Sequence, residues 1–163
     1  MPLVSPRVPD GLAHDWVFRD MVVTDLPEVV AIERASFPNP WTGSLFLQEL
    51  QVAFSRTIVA RRHAEGSVAG YLCRWLVADE VHVLNVAVDP KWRGRGLGAS
   101  LMREVLREAE ACGAVAVTLE VRRSNAAGRR LYEGFGFEQV GSRPNYYGRG
   151  EDALILRRAL ADV

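Results

Sequence analysis

The pattern of hydrophobic and polar residues predicts seven β-strands along the chain. Each predicted strand is a short apolar or alternating run bounded by turn-forming residues. The run at 80–88 is mostly apolar, so we expect that strand to be buried on both faces. The seven predicted strands are residues 17–23, 54–61, 67–77, 80–88, 115–122, 137–142 and 152–159.

Four helices are predicted between these strands. Asp25, with Pro27 in the first turn and Glu28 three residues on, forms a capping-box pattern at the start of the first helix. The prolines of segment 38–40 end that helix, because proline cannot continue it. A second helix is predicted at about residues 42–50.

The third and fourth predicted helices flank the strand at 115–122. The fourth, about residues 125–133, is capped by Ser124 and contains Gly128, which weakens a helix by roughly 0.5–1 kcal/mol relative to alanine. The third, about residues 98–111, is closed by Gly113 and carries apolar residues at helical spacing. These apolar residues are Leu97, Leu101, Met102, Val105, Leu106 and Ala109.

The order of these elements, β-α-α-β-β-β-α-β-α-β-β, predicts an α/β fold. We expect a mixed central β-sheet of about seven strands flanked by about four helices. The 163 residues fit one domain, which we place at 17–163. Residues 1–16 contain three prolines and no long apolar run, so they are expected to form a flexible tail rather than a signal peptide.

Composition excludes several classes of protein. The chain is 48% hydrophobic and 25% charged, which is typical of a globular protein and excludes a disordered chain or a fibrous repeat. Its formal net charge is zero, so direct nucleic-acid binding is not expected. Cys73 and Cys112 have no CxxC spacing, which favours buried thiols in the reduced cytoplasm. We expect no metal and no membrane partner.

A glycine-rich turn, Arg93-Gly94-Arg95-Gly96-Leu97-Gly98-Ala99, lies between a predicted strand and a helix. The three glycines lack β-carbons, which lets backbone amides close around an anion. The start of the helix adds free N–H groups and the positive end of a dipole, and the two arginines add positive charge with geometry suited to phosphate. The turn therefore predicts a pyrophosphate site.

Three kinds of pyrophosphate site could use such a turn. A nucleotide-hydrolase P-loop needs Gly-Lys-Ser/Thr where Leu97-Gly98-Ala99 stands, so that possibility fails. A dinucleotide fingerprint fits the glycine spacing, with Glu120 downstream. However, the segment 89–93 separates these glycines from the strand end. The third possibility is coenzyme A, which the wider sequence favours.

The segment R-x-x-G-x-G after VAVDP resembles the acetyl-CoA signature of the GNAT superfamily of N-acetyltransferases, with Arg93, Gly96 and Gly98 at its fixed positions. The resemblance covers roughly residues 17–160. Four further segments are similar to the RimI-type ribosomal-protein-alanine N-acetyltransferases. They are FPNPWT at 37–42, LNVAVDP at 84–90, LEVRRSNAAGRRLYEGFGF at 119–137 and RPNYY at 143–147.

This resemblance implies direct transfer of an acetyl group from acetyl-CoA to the N-terminal amine of a protein, such as a ribosomal protein. It also implies that Glu120 is the general base, Tyr132 the proton donor to the CoA thiolate, and Asn125 a CoA contact. Trp41 would border the peptide entrance. Backbone N–H groups at Val86, Ala87 and Val88 are candidates to polarise the thioester oxygen, which requires a local opening in the strand.

Each of these residues also has a structural interpretation. Alternation places Glu120 on one side of its strand with Thr118, and an ion pair with Arg122 or another arginine would account for it. Tyr132 could be a core aromatic, and Asn125 a helix-start residue. The segment Asn145-Tyr146-Tyr147 is expected to be a loop that either lines a peptide channel or covers the sheet, with Asn145 and Tyr146 as the candidate peptide contacts.

An N-terminal acceptor suits a carboxylate base. The pKa of an α-amine is about 7.7–8.0 and that of lysine about 10.4, so far more of an α-amine is unprotonated at neutral pH. Two alternatives remain open. One is a GNAT enzyme that acetylates an internal lysine or a small-molecule amine; the other is a non-catalytic CoA-binding sensor.

Overall fold

The computed structural model describes residues 16–160. Residues 1–15 of the predicted tail lie outside the described residues. Within 16–160 the chain forms seven β-strands and four α-helices in the predicted order, with short 3-10 turns at Val23–Asp25 and Pro90–Trp92. The elements are β1 Val17–Asp20, α1 Leu26–Ser36, α2 Gly43–Gln51, β2 Ser55–Arg61, β3 Val68–Val77, β4 Glu80–Val88, α3 Leu97–Ala111, β5 Ala116–Arg122, α4 Ala126–Gly134, β6 Glu138–Gly148 and β7 Glu151–Ala159.

The strands described form one sheet in the order β1-β2-β3-β4-β5-β7-β6. β1 pairs with β2, β5 with β7 and β6 with β7 in antiparallel fashion, whereas β4 and β5 are parallel. The parallel pairs join Glu80–Val83 to Ala116–Leu119, and both strands continue beyond the last pair. The predicted α/β fold with a mixed central sheet is confirmed.

Residue contacts divide the chain into two compact units. The first unit holds the described residues up to Val52, together with Thr57–Leu72 and Val86–Leu101. The second unit holds Ala53–Arg56, Cys73–Asn85 and the described residues from Met102 onward. A single domain at 17–163 stays a prediction.

The first unit has a continuous apolar core. Helices α1 and α2 cover strands of the sheet with side chains that have almost no exposure to solvent. Trp16, the last residue of the predicted tail, is also buried and packs edge-on against Trp92, with ring centroids 5.6 Å apart. The core residues are Met21, Val29, Ile32, Phe46, Val59, Val68, Tyr71 and Ala87.

The start of α1 differs from the prediction. The Asp25 side chain makes no capping bond to the helix; instead it accepts hydrogen bonds from Val22 N–H, Arg19 and Arg61. Glu28, expected to complete a capping box, accepts a hydrogen bond from Val68 N–H. The carboxylates of Asp25 and Glu28 therefore connect strands of the sheet to the start of α1. β1 ends at Asp20 rather than at residue 23.

The apolar spacing of α3 is confirmed, because all six residues predicted for its buried face are buried. The expectation for β4 was wrong. Its side chains alternate between buried and half-buried, so only one face is fully covered. The buried residues are Val81, Val83, Asn85 and Ala87.

Two elements of the second unit also differ from the predictions. Asn125, not Ser124, is the N-cap of α4, and its side chain accepts a hydrogen bond from Gly128 N–H. The Ser124 hydroxyl bonds to Glu151 instead. Residues 145–147 form no loop, because they belong to β6, which runs to Gly148. The register of β6 is irregular between Arg143 and Gly148, and Asn145 has φ +56°.

Across residues 16–160, we find no helix that is both long and apolar enough to cross a membrane.

Candidate active site

The glycine-rich turn leads directly into α3, as predicted. Gly94 and Gly96 have φ +76° and +82°, a conformation that side chains with a β-carbon rarely adopt. Leu97 is buried and anchors the first turn of the helix, whereas Gly98 and Ala99 are half-buried. The backbone amides at the start of this 15-residue helix are therefore fixed in place by the two glycines and one buried leucine.

A glycine in β3 lets the start of α3 approach the sheet closely. A β-carbon on Gly70 would lie 2.9 Å from both the Ala87 carbonyl oxygen and the Leu97 Cδ2 atom. Such a distance is too short for a real side chain, so residue 70 has to be glycine for this packing. A glycine inside a strand pattern is the sequence signal for this kind of close approach, although Gly70 was not among the predicted site residues.

The two arginines of the turn act differently. Arg93 Nε donates to the Val88 carbonyl at 3.1 Å, and its terminal amino group donates to the Ser36 hydroxyl at 3.1 Å. Arg93 therefore ties the turn to the end of β4 and to α1. Arg95 stacks over the Trp92 ring at 4.9 Å, and Arg62 lies over the same ring at 5.8 Å.

The residues of this turn fit a diphosphate. Gly94 and Gly96 are exposed and have positive φ. A β-carbon on Gly94 would meet nothing within 4 Å, so the space beside the turn is open to a ligand. Arg95 adds an exposed guanidinium.

Val86, Ala87 and Val88 are the last three residues of β4 and follow the segment that pairs with β5. In the described part of the chain, no group of three or more His, Cys, Asp or Glu residues could hold a metal ion.

Trp41 is held by a buried carboxylate. Glu33 in α1 is 1% exposed, and its carboxylate accepts hydrogen bonds from Trp41 N–H at 3.0 Å and from the Tyr71 hydroxyl. The Trp41 ring packs against Phe46 at 5.3 Å between centroids. The segment 37–42 is thus fixed to the core of the first unit by Glu33, a residue that the sequence did not mark as part of the site.

Glu120 lies on the half-buried face of β5, in the second unit, as strand alternation predicted. Its carboxylate pairs with Arg143 Nε at 3.1 Å. Arg122, the arginine expected as its partner, instead stacks on the Tyr147 ring at 4.2 Å. The Glu120 side chain keeps 29% of its surface exposed, so it is accessible rather than enclosed.

Tyr132 lies on α4 and is 7% exposed. Its ring packs edge-on against Phe137. Burial raises the pKa of Tyr132 to about 12, and the neighbouring Tyr147 adds to this effect. The phenol therefore keeps its proton throughout the neutral and mildly alkaline range, and it can donate that proton but not accept one.

Tyr147 lies beside the candidate site, although the sequence did not single it out within the segment 145–147. It is half-buried, and burial followed by the charge of Glu120 raises its pKa, while Arg122 partly offsets that rise. Tyr147 therefore interacts with both Glu120 and Tyr132. Strand alternation in β6 would have distinguished it from Tyr146, but the segment was expected to be a loop.

Asn145 and Tyr146 take different positions. The Asn145 backbone N–H donates to Asp152 and its side chain accepts from Gly150 N–H, so this residue shapes the β6–β7 turn. Tyr146 is 54% exposed, and Arg143 lies over its ring at 5.4 Å. The second unit thus brings Glu120, Tyr132 and Tyr146 into one cluster with Arg143, whereas the glycine-rich turn and Trp41 belong to the first unit.

Comparison with known proteins identifies the family. Residues 26–137 match the family model described as "Acetyltransferase (GNAT) family". The chain is 37% identical over 136 residues to the [ribosomal protein bS18]-alanine N-acetyltransferase of Salmonella typhimurium, covering 82% of this chain and 90% of that protein. It is also 37% identical over 140 residues to the Escherichia coli protein of the same name, with the same coverage of each chain.

Solved structures agree with these relatives. The crystal structure of the ribosomal-protein-S18-alanine N-acetyltransferase from Escherichia coli superimposes with a TM-score of 0.82 at 32% identity, covering 91% of this chain and 96% of that one. The structure of Ard1 from Thermoplasma volcanium gives a TM-score of 0.81 at 27% identity, covering 91% and 99%. The resemblance to the RimI type is confirmed. The chain therefore belongs to the GNAT family and is an N-acetyltransferase that takes its acetyl group from acetyl-CoA.

Proposed function

We propose that this enzyme acetylates the N-terminal α-amine of a protein and that the acceptor residue is alanine, the residue in the name "[ribosomal protein bS18]-alanine N-acetyltransferase". The Salmonella typhimurium and Escherichia coli proteins of this name are each 37% identical to the chain over 82% of its length. The structural observation that supports the proposal is the cluster in the second unit. There an accessible carboxylate, Glu120, is accompanied by Tyr132, a buried tyrosine that retains its proton.

Glu120 is the general base in this proposal. The amine nitrogen forms a bond to the thioester carbonyl carbon, and the bond from that carbon to sulfur breaks. Glu120 accepts the proton that the amine loses, and Tyr132 donates a proton to the departing thiolate. Transfer is direct, so no acetyl group is carried on the enzyme, and the reaction ends with an acetylated amine and a free thiol.

The remaining residues bind the two substrates. The backbone amides of Gly94–Ala99 and the Arg95 guanidinium hold the diphosphate of acetyl-CoA. N–H groups within Val86–Val88 polarise the thioester oxygen, and Asn125 contacts CoA from its position as the cap of α4. Trp41, Asn145 and Tyr146 contact the acceptor peptide. We expect the reaction to take place in the cytoplasm, where ribosomal proteins are made.

A substrate panel tests the acceptor. Labelled acetyl-CoA is offered with peptides that begin with Ala, Ser or Met, with an N-terminally blocked peptide that contains lysine, and with a polyamine. We expect the alanine peptide to be the preferred acceptor. Preference for the blocked lysine peptide or the polyamine would overturn the proposal in favour of another amine substrate.

Variants test the chemistry. Glu120→Gln removes the base without changing its shape, and we expect kcat to fall by about 10²-fold or more while the affinity for acetyl-CoA stays the same. The matched control is Glu138→Gln, at an exposed position on β6. Unchanged turnover in Glu120→Gln would remove Glu120 from the mechanism. Stable acetylation of Cys73 or Cys112, seen by mass spectrometry, would contradict direct transfer.

A further inference from the structure

Arg143 contacts Glu120 from a strand that does not adjoin β5 in the sheet. β7 lies between β5 and β6, and Ala153 of β7 pairs with Arg122 on one side and with Arg143 on the other. Neighbouring strands are about 4.8 Å apart, so a side chain has to span about 10 Å to reach β5 from β6. The long guanidinium side chain of Arg143 covers this distance and places Nε 3.1 Å from the Glu120 carboxylate.

The residue of β7 that pairs with Arg143 is small. Ala153 is fully buried, so only a methyl group lies on the middle strand beside the arginine. Ile155 of β7 pairs with Glu120 and with Gly141, and a β-carbon on Gly141 would make an ordinary contact with Ile155, 3.5 Å from its Cδ1 atom. A small residue on the middle strand and a long cation on the outer strand therefore bring a positive charge to Glu120.

The guanidinium is also held from a second direction. It lies over the Tyr146 ring at 5.4 Å while it pairs with Glu120, so two contacts fix its position. Stability alone does not account for the pair, because the Arg143 side chain is 54% exposed and exposed ion pairs contribute only about 0–1 kcal/mol. Its position beside the proposed base gives it a functional explanation.

We propose that Arg143 is a positioning residue for the reaction: its ion pair with Glu120 and its stacking on Tyr146 hold the Glu120 carboxylate in the orientation that accepts the proton of the acceptor amine. This inference rests on the proposed role of Glu120 as the base. Tyr147 on β6 also lies near Glu120, and Arg122 of β5 stacks on the Tyr147 ring rather than pairing with the carboxylate.

The test is a double-mutant cycle in which kcat and KM for an alanine peptide are measured for Arg143→Met in wild type and in a Glu120→Gln background. In wild type we expect Arg143→Met to lower kcat by about ten-fold with little change in KM, because Glu120 has lost the group that orients it. In the Glu120→Gln background the same substitution should have little further effect, because no base is left to orient. Arg143→Lys retains the charge without the planar guanidinium and should recover only part of kcat.

Arg123→Met is the matched control, because Arg123 is 59% exposed and pairs with Asp152 at 3.3 Å rather than with Glu120. It should leave kcat and KM unchanged. Equal losses of kcat from Arg143→Met in wild type and in Glu120→Gln, or a loss confined to KM, would overturn the proposal and leave Arg143 a structural or peptide-binding role. Failure of the proposed function looks different, because Glu120→Gln would then keep wild-type turnover.

Discussion

The Oδ1 atom of Asn125 accepts a hydrogen bond from Gly128 N–H at 2.9 Å, and a β-carbon on residue 128 would lie only 2.6 Å from the Nδ2 atom of the same asparagine. The capping side chain thus occupies the space that any other residue at position 128 would need. A glycine that weakens the helix by propensity is therefore required by the cap that starts the helix.

Gly128→Ala tests this relationship. Helix propensity alone predicts that alanine stabilises the helix by up to about 1 kcal/mol. We expect the opposite sign, because the added methyl group displaces the Asn125 side chain, and the loss of an N-cap costs about 0.5–2 kcal/mol. The measurement is the free energy of unfolding by urea.

A double-mutant cycle separates the two effects. In an Asn125→Ala background the clash is gone, so Gly128→Ala should become neutral or stabilising. Gly134→Ala is the control, since a β-carbon at that end of α4 meets nothing within 4 Å. Equal effects of Gly128→Ala in both backgrounds would show that the cap does not impose the glycine.

The sequence predicted the elements whose signal is local. The apolar period of α3 and the turn glycines Gly94 and Gly96 depend on the chain's own geometry, and the structure has all of them as expected. The partners of charged side chains depend on contacts distant in sequence. Strand periodicity placed Glu120 on its face of β5, but nothing in the sequence indicated that Arg143 would reach it across β7.

The hydrogen-bond partners of Asp25 could not be predicted from the sequence either. Its ion pairs predict how the stability of the fold changes with pH. Burial raises the pKa of its carboxyl, but hydrogen bonds from Val22 N–H, Arg61 and Arg19 outweigh burial, and the net pKa is lower than the ordinary 3.8. A carboxyl with a lowered pKa stabilises the fold fully above its ordinary value. That contribution is lost as the pH falls from about 4 towards the lower folded-state pKa.

We therefore expect Asp25→Asn to reduce the free energy of unfolding at pH 7 by about 3 kcal/mol or more, since Arg61 is left buried without its partner charge. The loss of stability between pH 4 and pH 2 should also be smaller in the variant than in wild type. Urea unfolding at pH 7, 4, 3 and 2 measures both effects. The exposed Asp20→Asn is the control, and an identical acid dependence in Asp25→Asn would refute the assignment.

The stacking of Arg95 on Trp92 leads to a prediction for acetyl-CoA binding. The guanidinium lies over the ring at 4.9 Å, an interaction of about 0.5–1 kcal/mol at an exposed site. Trp92→Ala should weaken CoA binding by about two- to five-fold, because Arg95 is less well positioned. Arg95→Gln should weaken it by about ten-fold or more, because a hydrogen bond to a charged phosphate contributes about 1.5–3 kcal/mol.

Calorimetric titration with CoA measures these affinities without the chemical step. Lys91→Gln is the control, because Lys91 is an exposed cation just before the glycine-rich turn, and this variant should bind nearly as wild type. If Arg95→Gln bound CoA with unchanged affinity, the turn would hold the diphosphate through its backbone amides alone.

Tyr132→Phe tests the proton donor. The ring contact with Phe137 is retained, so we expect little change in stability or in CoA affinity, while kcat falls by about 10²-fold or more. Because the pKa of Tyr132 is raised to about 12, wild type should show no loss of kcat from this group below about pH 11. Tyr147→Phe is the essential comparison, since Tyr147 interacts with both Glu120 and Tyr132. A large loss of kcat in Tyr147→Phe with near-normal turnover in Tyr132→Phe would transfer the role of proton donor to Tyr147.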